Sequence, residues 1–121
     1  MKGKRLLLVE DNEKILRGNK RLLEWEGYEV DAARTLEQAE QCFESRRPDA
    51  VILDIMLPDG NGLEYMKALR QGRDGDVPIL LLTGLTSQED VIQGLAAGGD
   101  DYLTKPYDFP ILLARLSLIH I

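Results

Sequence analysis

Asp54 closes the apolar run Ala50-Val51-Ile52-Leu53, and Glu10 and Asp11 close a second run, Leu6-Leu7-Leu8-Val9. Unbroken apolar runs of this length suit strands buried on both faces. A carboxylate at the tip of such a strand is costly unless something solvates or pairs it. Two further apolar stretches end in polar groups, one in Thr83-Gly84 and one in Thr104-Lys105-Pro106. Acids, a hydroxyl and an ammonium gathered at strand ends would make one acidic pocket, built for a cation and for chemistry.

Three clustered carboxylates repel one another. At about 4 Å a like-charge pair costs roughly 1 kcal/mol in water, and about 4 kcal/mol at an effective dielectric of 20. A hard divalent cation removes that cost, and Mg²⁺ prefers oxygen ligands while keeping several waters. Asp11 and Asp54 are expected as direct ligands, Glu10 as a ligand directly or through water, and the backbone carbonyl of Met56 as a further one. The remaining groups suit phosphoryl transfer. An ionised carboxylate, here Asp54, can attack phosphorus and form an acyl phosphate. The incoming group is anionic, so Lys105 and the cation would neutralise its oxygens while the Thr83 hydroxyl donates to another. Gly84 leaves room beside the site for a donor or water.

The elements that must position these residues can be read from the pattern. Strands are predicted at Arg5–Val9, Glu29–Ala33, Ala50–Asp54, Pro78–Leu82 and Asp101–Thr104. Helices are predicted at Glu13–Glu26, Leu36–Arg46, Gly62–Gln71, Gln88–Ala97 and Phe109–Leu118. Gly27 is placed to end the first helix, and Thr35 with Gln38 forms a capping box for the second, with Pro48 just beyond its end. Thr86 with Glu89, or Ser87 with Asp90, could cap the fourth helix, and Asp108 the fifth. Gly98-Gly99 is expected to loosen the link into the fifth strand. Gly18 and Asn19 interrupt the apolar stripe of the first helix, and the sequence alone gives no reason for them.

Alternating β and α units argue for a doubly wound, five-stranded parallel sheet with helices on both faces. Right-handed crossovers leave few topologies, and the flavodoxin-like order 2-1-3-4-5 fits them. With that order the first and third strands flank the point where strand order reverses, so Glu10 and Asp11 would face Asp54.

The totals set the remaining bounds. A chain of 121 residues, 44% hydrophobic and 30% charged, reads as one globular domain over 1–121, with no repeat or linker. Its formal charge of −6 argues against direct nucleic-acid binding. No stretch approaches a membrane span, and no signal sequence opens the chain, so a cytoplasmic protein is expected. The single cysteine, Cys42, excludes an internal disulfide and falls with Leu36, Ala39 and Phe43 on one helical stripe, which reads as packing.

These residues resemble the receiver domain of two-component response regulators over essentially the whole chain. The resemblance rests on Val9-Glu10-Asp11-Asn12, on Leu53-Asp54-Ile55-Met56-Leu57-Pro58-Asp59-Gly60-Asn61-Gly62, on Leu82-Thr83-Gly84, and on Asp101-Tyr102-Leu103-Thr104-Lys105-Pro106-Tyr107. It implies that Asp54 accepts a phosphoryl group from a phosphohistidine on a sensor histidine kinase, with Glu10 and Asp11 holding Mg²⁺ and Lys105 contacting the phosphoryl group. Thr83 and Tyr102 would then be the switch pair, and the Lys105–Pro106 bond would be cis. The stretch from Gly94 to Pro106 looks most like the winged-helix, OmpR/PhoB-like class. That likeness implies self-association through the fourth helix, fifth strand and fifth helix, with Asp100, Asp101 and Arg115 at positions used for ion pairs between subunits. Gly84 departs from the more usual alanine, which bears on rates. The apolar tail 116–121 suggests that an output domain is missing, and His120 within it reads as incidental.

Each residue has a plainer reading. Asp11 before Asn12-Glu13 could serve only as a helix cap, and Lys105 could be a solvated loop lysine. Other functions on this fold fit less well. An aspartyl phosphatase commonly carries a second acid two residues after its nucleophile, where this chain has Met56. A flavin binder needs a neutral Ser, Thr and Gly loop after the first strand, where Glu10-Asp11 would repel the phosphate. A receiver-like module without phosphorylation is left with no use for a complete pocket.

Overall fold

The computed structural model of the chain describes residues 3–72, 75–84, 88–96 and 98–119. Five strands, β1 (Arg5–Val9), β2 (Glu29–Ala33), β3 (Ala50–Asp54), β4 (Ile79–Thr83) and β5 (Asp101–Thr104), form one parallel sheet in the order β2-β1-β3-β4-β5. Five helices alternate with them: α1 (Glu13–Trp25), α2 (Leu36–Ser45), α3 (Gly62–Gln71), α4 (Gln88–Ala96) and α5 (Phe109–Leu118). A two-residue antiparallel ribbon, Met56–Leu57 against Gly60–Asn61, lies between β3 and α3.

All five residues of β3 and all five of β4 are buried, as expected of central strands covered on both faces. The period of two sends alternate side chains into two cores. One holds Leu6, Leu8, Ile52, Leu80 and Leu82 against Leu16 and Leu23 of α1 and Leu112 and Leu116 of α5. The other holds Leu7, Val9, Val51, Leu53, Ile79 and Leu81 against Ala39 and Phe43 of α2 and Met66 and Leu69 of α3. Cys42 packs at the edge of this second core beside Leu36, and burial pushes its thiol above the usual range.

Helix ends follow local chemistry. The N–H of Gly27 bonds the Glu24 carbonyl and that of Tyr28 bonds the Leu23 carbonyl, a Schellman closure with Tyr28 and Leu23 in the same core. Thr35 Oγ1 accepts from the Gln38 N–H at 3.1 Å, while Gln38 Oε1 reaches back to the N–H of Arg34 rather than of Thr35. Asp108 stands at the start of α5, but its side chain makes no capping bond. Its backbone carbonyl accepts from Ile111 and Leu112 instead.

Several expectations need correction. The fourth strand is Ile79–Thr83 rather than Pro78–Leu82, because Pro78 has no N–H to give the ladder and Thr83 continues it, paired with Thr104. The first two helices stop one residue early, at Trp25 and Ser45. Gly98-Gly99 closes α4 on the way into β5. The N–H of Gly98 bonds the Leu95 carbonyl and that of Gly99 the Gly94 carbonyl, with Gly98 at φ +118°, where a side chain would be strained. Thr86 and Ser87, Ala97 and His120 lie outside the described residues.

Candidate functional site

Four neighbouring strands deliver polar groups to one edge. Glu10 follows β1 and its N–H continues the ladder by bonding the Ala33 carbonyl. Asp54 ends β3, Thr83 ends β4 and Lys105 follows β5. Among the described residues the buried polar or charged ones are three: Glu10, Asp54 and Thr83. Burying such groups is costly unless each is partnered, so their concentration at one edge marks a built site.

Lys105 supplies much of the partnering. Its Nζ stands 2.5 Å from Asp54 Oδ2 and 2.7 Å from Glu10 Oε1. Burial alone would lower the Lys105 pKa, but the hydrogen bonds and charges of Asp54 and Glu10 outweigh it and hold the ammonium above its ordinary value. The other carboxylate oxygens take backbone donors: Asp54 Oδ1 accepts from the Met56 N–H at 3.2 Å, and Glu10 Oε2 from the Asn12 N–H at 3.0 Å. Asn12 in turn caps α1 through Ile15, so Asp11 is not the cap. The Lys105 N–H donates to the Thr83 carbonyl at 2.7 Å, and the Lys105–Pro106 bond is cis.

Glu10, Asp11 and Asp54 each offer a carboxylate oxygen, and the three oxygens lie within 4.8 Å of one another. Glu10 Oε1 is buried and has the Lys105 ammonium as its partner. Three converging carboxylates, with no His or Cys among them, form an oxygen-only donor set that fits a hard divalent cation. Met56 follows with its side chain exposed. Gly84 is exposed, and a Cβ there would meet nothing within 4 Å among the described residues.

The outer residues sit on β5 and the helices beside it. Tyr102 is half-buried against the second core. Asp101 and Arg115 form an ion pair within the chain at 3.3 Å. Asp100 stays exposed, with its Oδ2 accepting from the Ile79 N–H at 2.7 Å and from Arg70 at 3.0 Å.

Three positions were not identified from sequence. Asp59 reaches from the ribbon to α2, where Oδ1 accepts from Leu36 N–H at 2.9 Å and Oδ2 from Glu37 N–H at 3.1 Å. It caps a helix 22 residues away in sequence, which no local pattern reveals. Arg70 donates to the carbonyls of Gly75, Val77 and Gly98, fastening α3 to the loops before β4 and β5. Asn19 Nδ2 donates to the Tyr107 hydroxyl at 2.9 Å. Its signal was visible as a polar break in the stripe of α1, without its partner.

The family model described as the response regulator receiver domain matches residues 6–117. The chain is 43% identical over 115 residues to the response regulator MprA of Mycolicibacterium vanbaalenii, an alignment covering 95% of this chain and 49% of that protein. It thus spans about half the length of the curated relatives it matches. Among solved structures, the receiver domain of the Francisella response regulator 1452 superimposes with a TM-score of 0.90 at 30% identity, covering 96% of this chain and 95% of the other. The Vibrio cholerae chemotaxis protein CheY4 does so at 0.89 and 33%, covering 97% and 98%.

Proposed function

The chain belongs to the family of response regulator receiver domains, and from that premise we propose that Asp54 is the phosphoryl acceptor of a two-component signalling switch. The observation that carries the reading is Lys105 bridging two buried carboxylates, Asp54 and Glu10, at the carboxyl edge of the sheet. Such a domain does not turn over external substrates.

The donor is a phosphohistidine on a sensor histidine kinase. An Asp54 carboxylate oxygen attacks phosphorus, the P–N bond breaks, and the imidazole leaves with the electron pair and takes a proton. Lys105 turns from Asp54 towards a phosphoryl oxygen, and the Thr83 hydroxyl donates to another. Glu10, Asp11, Asp54 and the Met56 carbonyl would hold Mg²⁺, which would supply the positive charge that an anionic nucleophile and an anionic donor both need. A groove of about 440 Å³ lined by Ile15, Gly18, Leu22 and Pro106 runs beside Lys105 and suits the donor protein's surface. The reaction belongs in the cytoplasm, and no helix among the described residues is long and apolar enough to cross a membrane.

Phosphorylation biases a two-state equilibrium, with Thr83 drawn to the phosphoryl group and Tyr102 turning inward. The surface of α4, β5 and α5 then pairs two copies. Ile92, Leu95 and Ile111 are exposed there and offer apolar area. Asp101 and Arg115 exchange their in-chain partner for that of a second copy, selecting orientation more than adding affinity. Asp100, exposed and paired with Arg70 within the chain, is a further acid for ion pairs between copies. The output that this surface controls is DNA binding by a winged helix, and the acidic receiver itself takes no part in binding DNA.

The test is incubation with acetyl phosphate and Mg²⁺, read by intact mass. One phosphoryl group is expected on the parent and none on Asp54→Asn. Equal labelling of the two would refute the assignment.

A further inference from the structure

The side chains that reach the phosphoryl site do not include Asn19 and Tyr107, yet these two are joined 88 residues apart by a hydrogen bond of 2.9 Å from Asn19 Nδ2 to the Tyr107 hydroxyl. Glycine and asparagine are among the poorer helix formers, so Gly18-Asn19 in the interior of α1 weakens that helix. An apolar residue at 19 would have continued the stripe from Ile15 to Leu22. The exchange of an apolar contact for a single amide calls for a reason, and the reason lies across the groove.

Tyr107 is two residues past Lys105. Its ring packs against the core that contains Leu16 and Leu112, and its hydroxyl is held by α1. The near end of the same segment is held by the bond from the Lys105 N–H to the Thr83 carbonyl on β4. The segment is therefore fixed at both ends, on β4 and on α1, with the lysine between. Lys105, Pro106 and Tyr107 line the groove together with Asn19. Burial pushes the Tyr107 phenol up, so it keeps its proton, and it lies near enough to sense Glu10, Lys105 and Asp54.

The geometry points to Asn19 and Tyr107 as positioning residues for Lys105. The amide–phenol bond locks the loop over α1 and so sets where the flexible lysine stem starts. Lys105 has to meet both the buried carboxylates and, on the phosphoryl-transfer reading on which this inference rests, the oxygens of an entering phosphoryl group. Small misplacement of such a group is expensive in rate, because the reacting atoms must be held close to the productive arrangement. The Tyr107 hydroxyl is hydrogen-bonded to Asn19 and to no carboxylate of the cation site, so positioning of the lysine is the direct route for its effect.

The test uses the parent chain, Tyr107→Phe, Asn19→Ala, Lys105→Met, and Lys105→Met combined with Tyr107→Phe. Phosphorylation by acetyl phosphate at saturating Mg²⁺ is expected to slow by about three- to ten-fold in each clamp variant, with the Mg²⁺ dissociation constant within two-fold of the parent. Adding Tyr107→Phe to Lys105→Met should cost nothing further. If the hydroxyl were merely structural, the two losses would multiply, and that result overturns the proposal, as do parent-like rates in both clamp variants. The Lys105 ¹³Cε resonance separates this from failure of the phosphoryl-transfer reading. A parent that takes no phosphoryl group sinks that reading, while the resonance still decides the clamp: moved in both variants if they position the lysine, unmoved if they do not.

Discussion

A Cβ placed on Gly62 would stand 2.3 Å from the carbonyl oxygen of Asp54 and 3.0 Å from the Cα of Ile55. The first turn of α3 thus rests directly on the backbone of Asp54, the proposed phosphoryl acceptor, and the Gly62 N–H bonds the Ile55 carbonyl at 2.6 Å. Backbone, unlike the end of a long side chain, cannot move aside cheaply.

Gly62→Ala is therefore expected to destabilise the fold by about 1–3 kcal/mol, the usual cost of overpacking, although alanine is the better helix former. Urea unfolding measures it. On the proposed function the same variant should also slow phosphorylation, since the strain falls on the backbone of Asp54.

Asp59 gives the acid limb a sign. The Leu36 N–H does most to hold its carboxyl below the ordinary value of 3.8; desolvation opposes this and the Glu37 N–H reinforces it. A carboxyl depressed in the fold adds stability that is complete above its unfolded pKa and is lost as pH falls through the folded one. Asp59→Asn should accordingly lower the melting temperature at neutral pH and flatten its fall below pH 3.8 relative to the parent. Superimposable pH profiles would contradict this.

Lys105 acts at the other end of the scale. Its raised pKa means a contribution present below 10.5 and lost as pH rises through the folded value. In Lys105→Met two buried acids lose their cation, a loss of about 1–3 kcal/mol at neutral pH. Comparison of alkaline unfolding profiles should show the parent converging on the variant above pH 10.5.

Much of this was legible in advance. The pattern located β1 and β3 to the residue as unbroken apolar runs of central strands, and the edge strands β2 and β5 as shorter, half-buried stretches. The tips themselves marked Glu10, Asp54, Thr83 and Lys105. What stayed hidden depends on long-range partners. Asp59 looks like any turn aspartate until α2 is seen to start beside it. Asn19 looks like a flaw until Tyr107 arrives opposite, and Arg70 like a surface charge until three carbonyls converge on it. The ribbon at Met56–Leu57 is too short to carry a period.

Cation binding has its own test. Mg²⁺ that binds the folded chain alone raises stability by about 2.7 kcal/mol at a free concentration one hundred times its dissociation constant. The parent should melt higher in MgCl₂. Asp11→Asn should lose most of that rise while being no less stable without the metal, since one of three repelling charges is gone. An undiminished rise would place the ion elsewhere.

The most direct measurement is chemical trapping of the acceptor. After incubation with acetyl phosphate and Mg²⁺, borohydride reduces an aspartyl phosphate to homoserine, which peptide mass spectrometry locates. The account predicts homoserine at position 54 and nowhere else, and its disappearance when Mg²⁺ is chelated. Homoserine at another acid, or labelling indifferent to the metal, would contradict it.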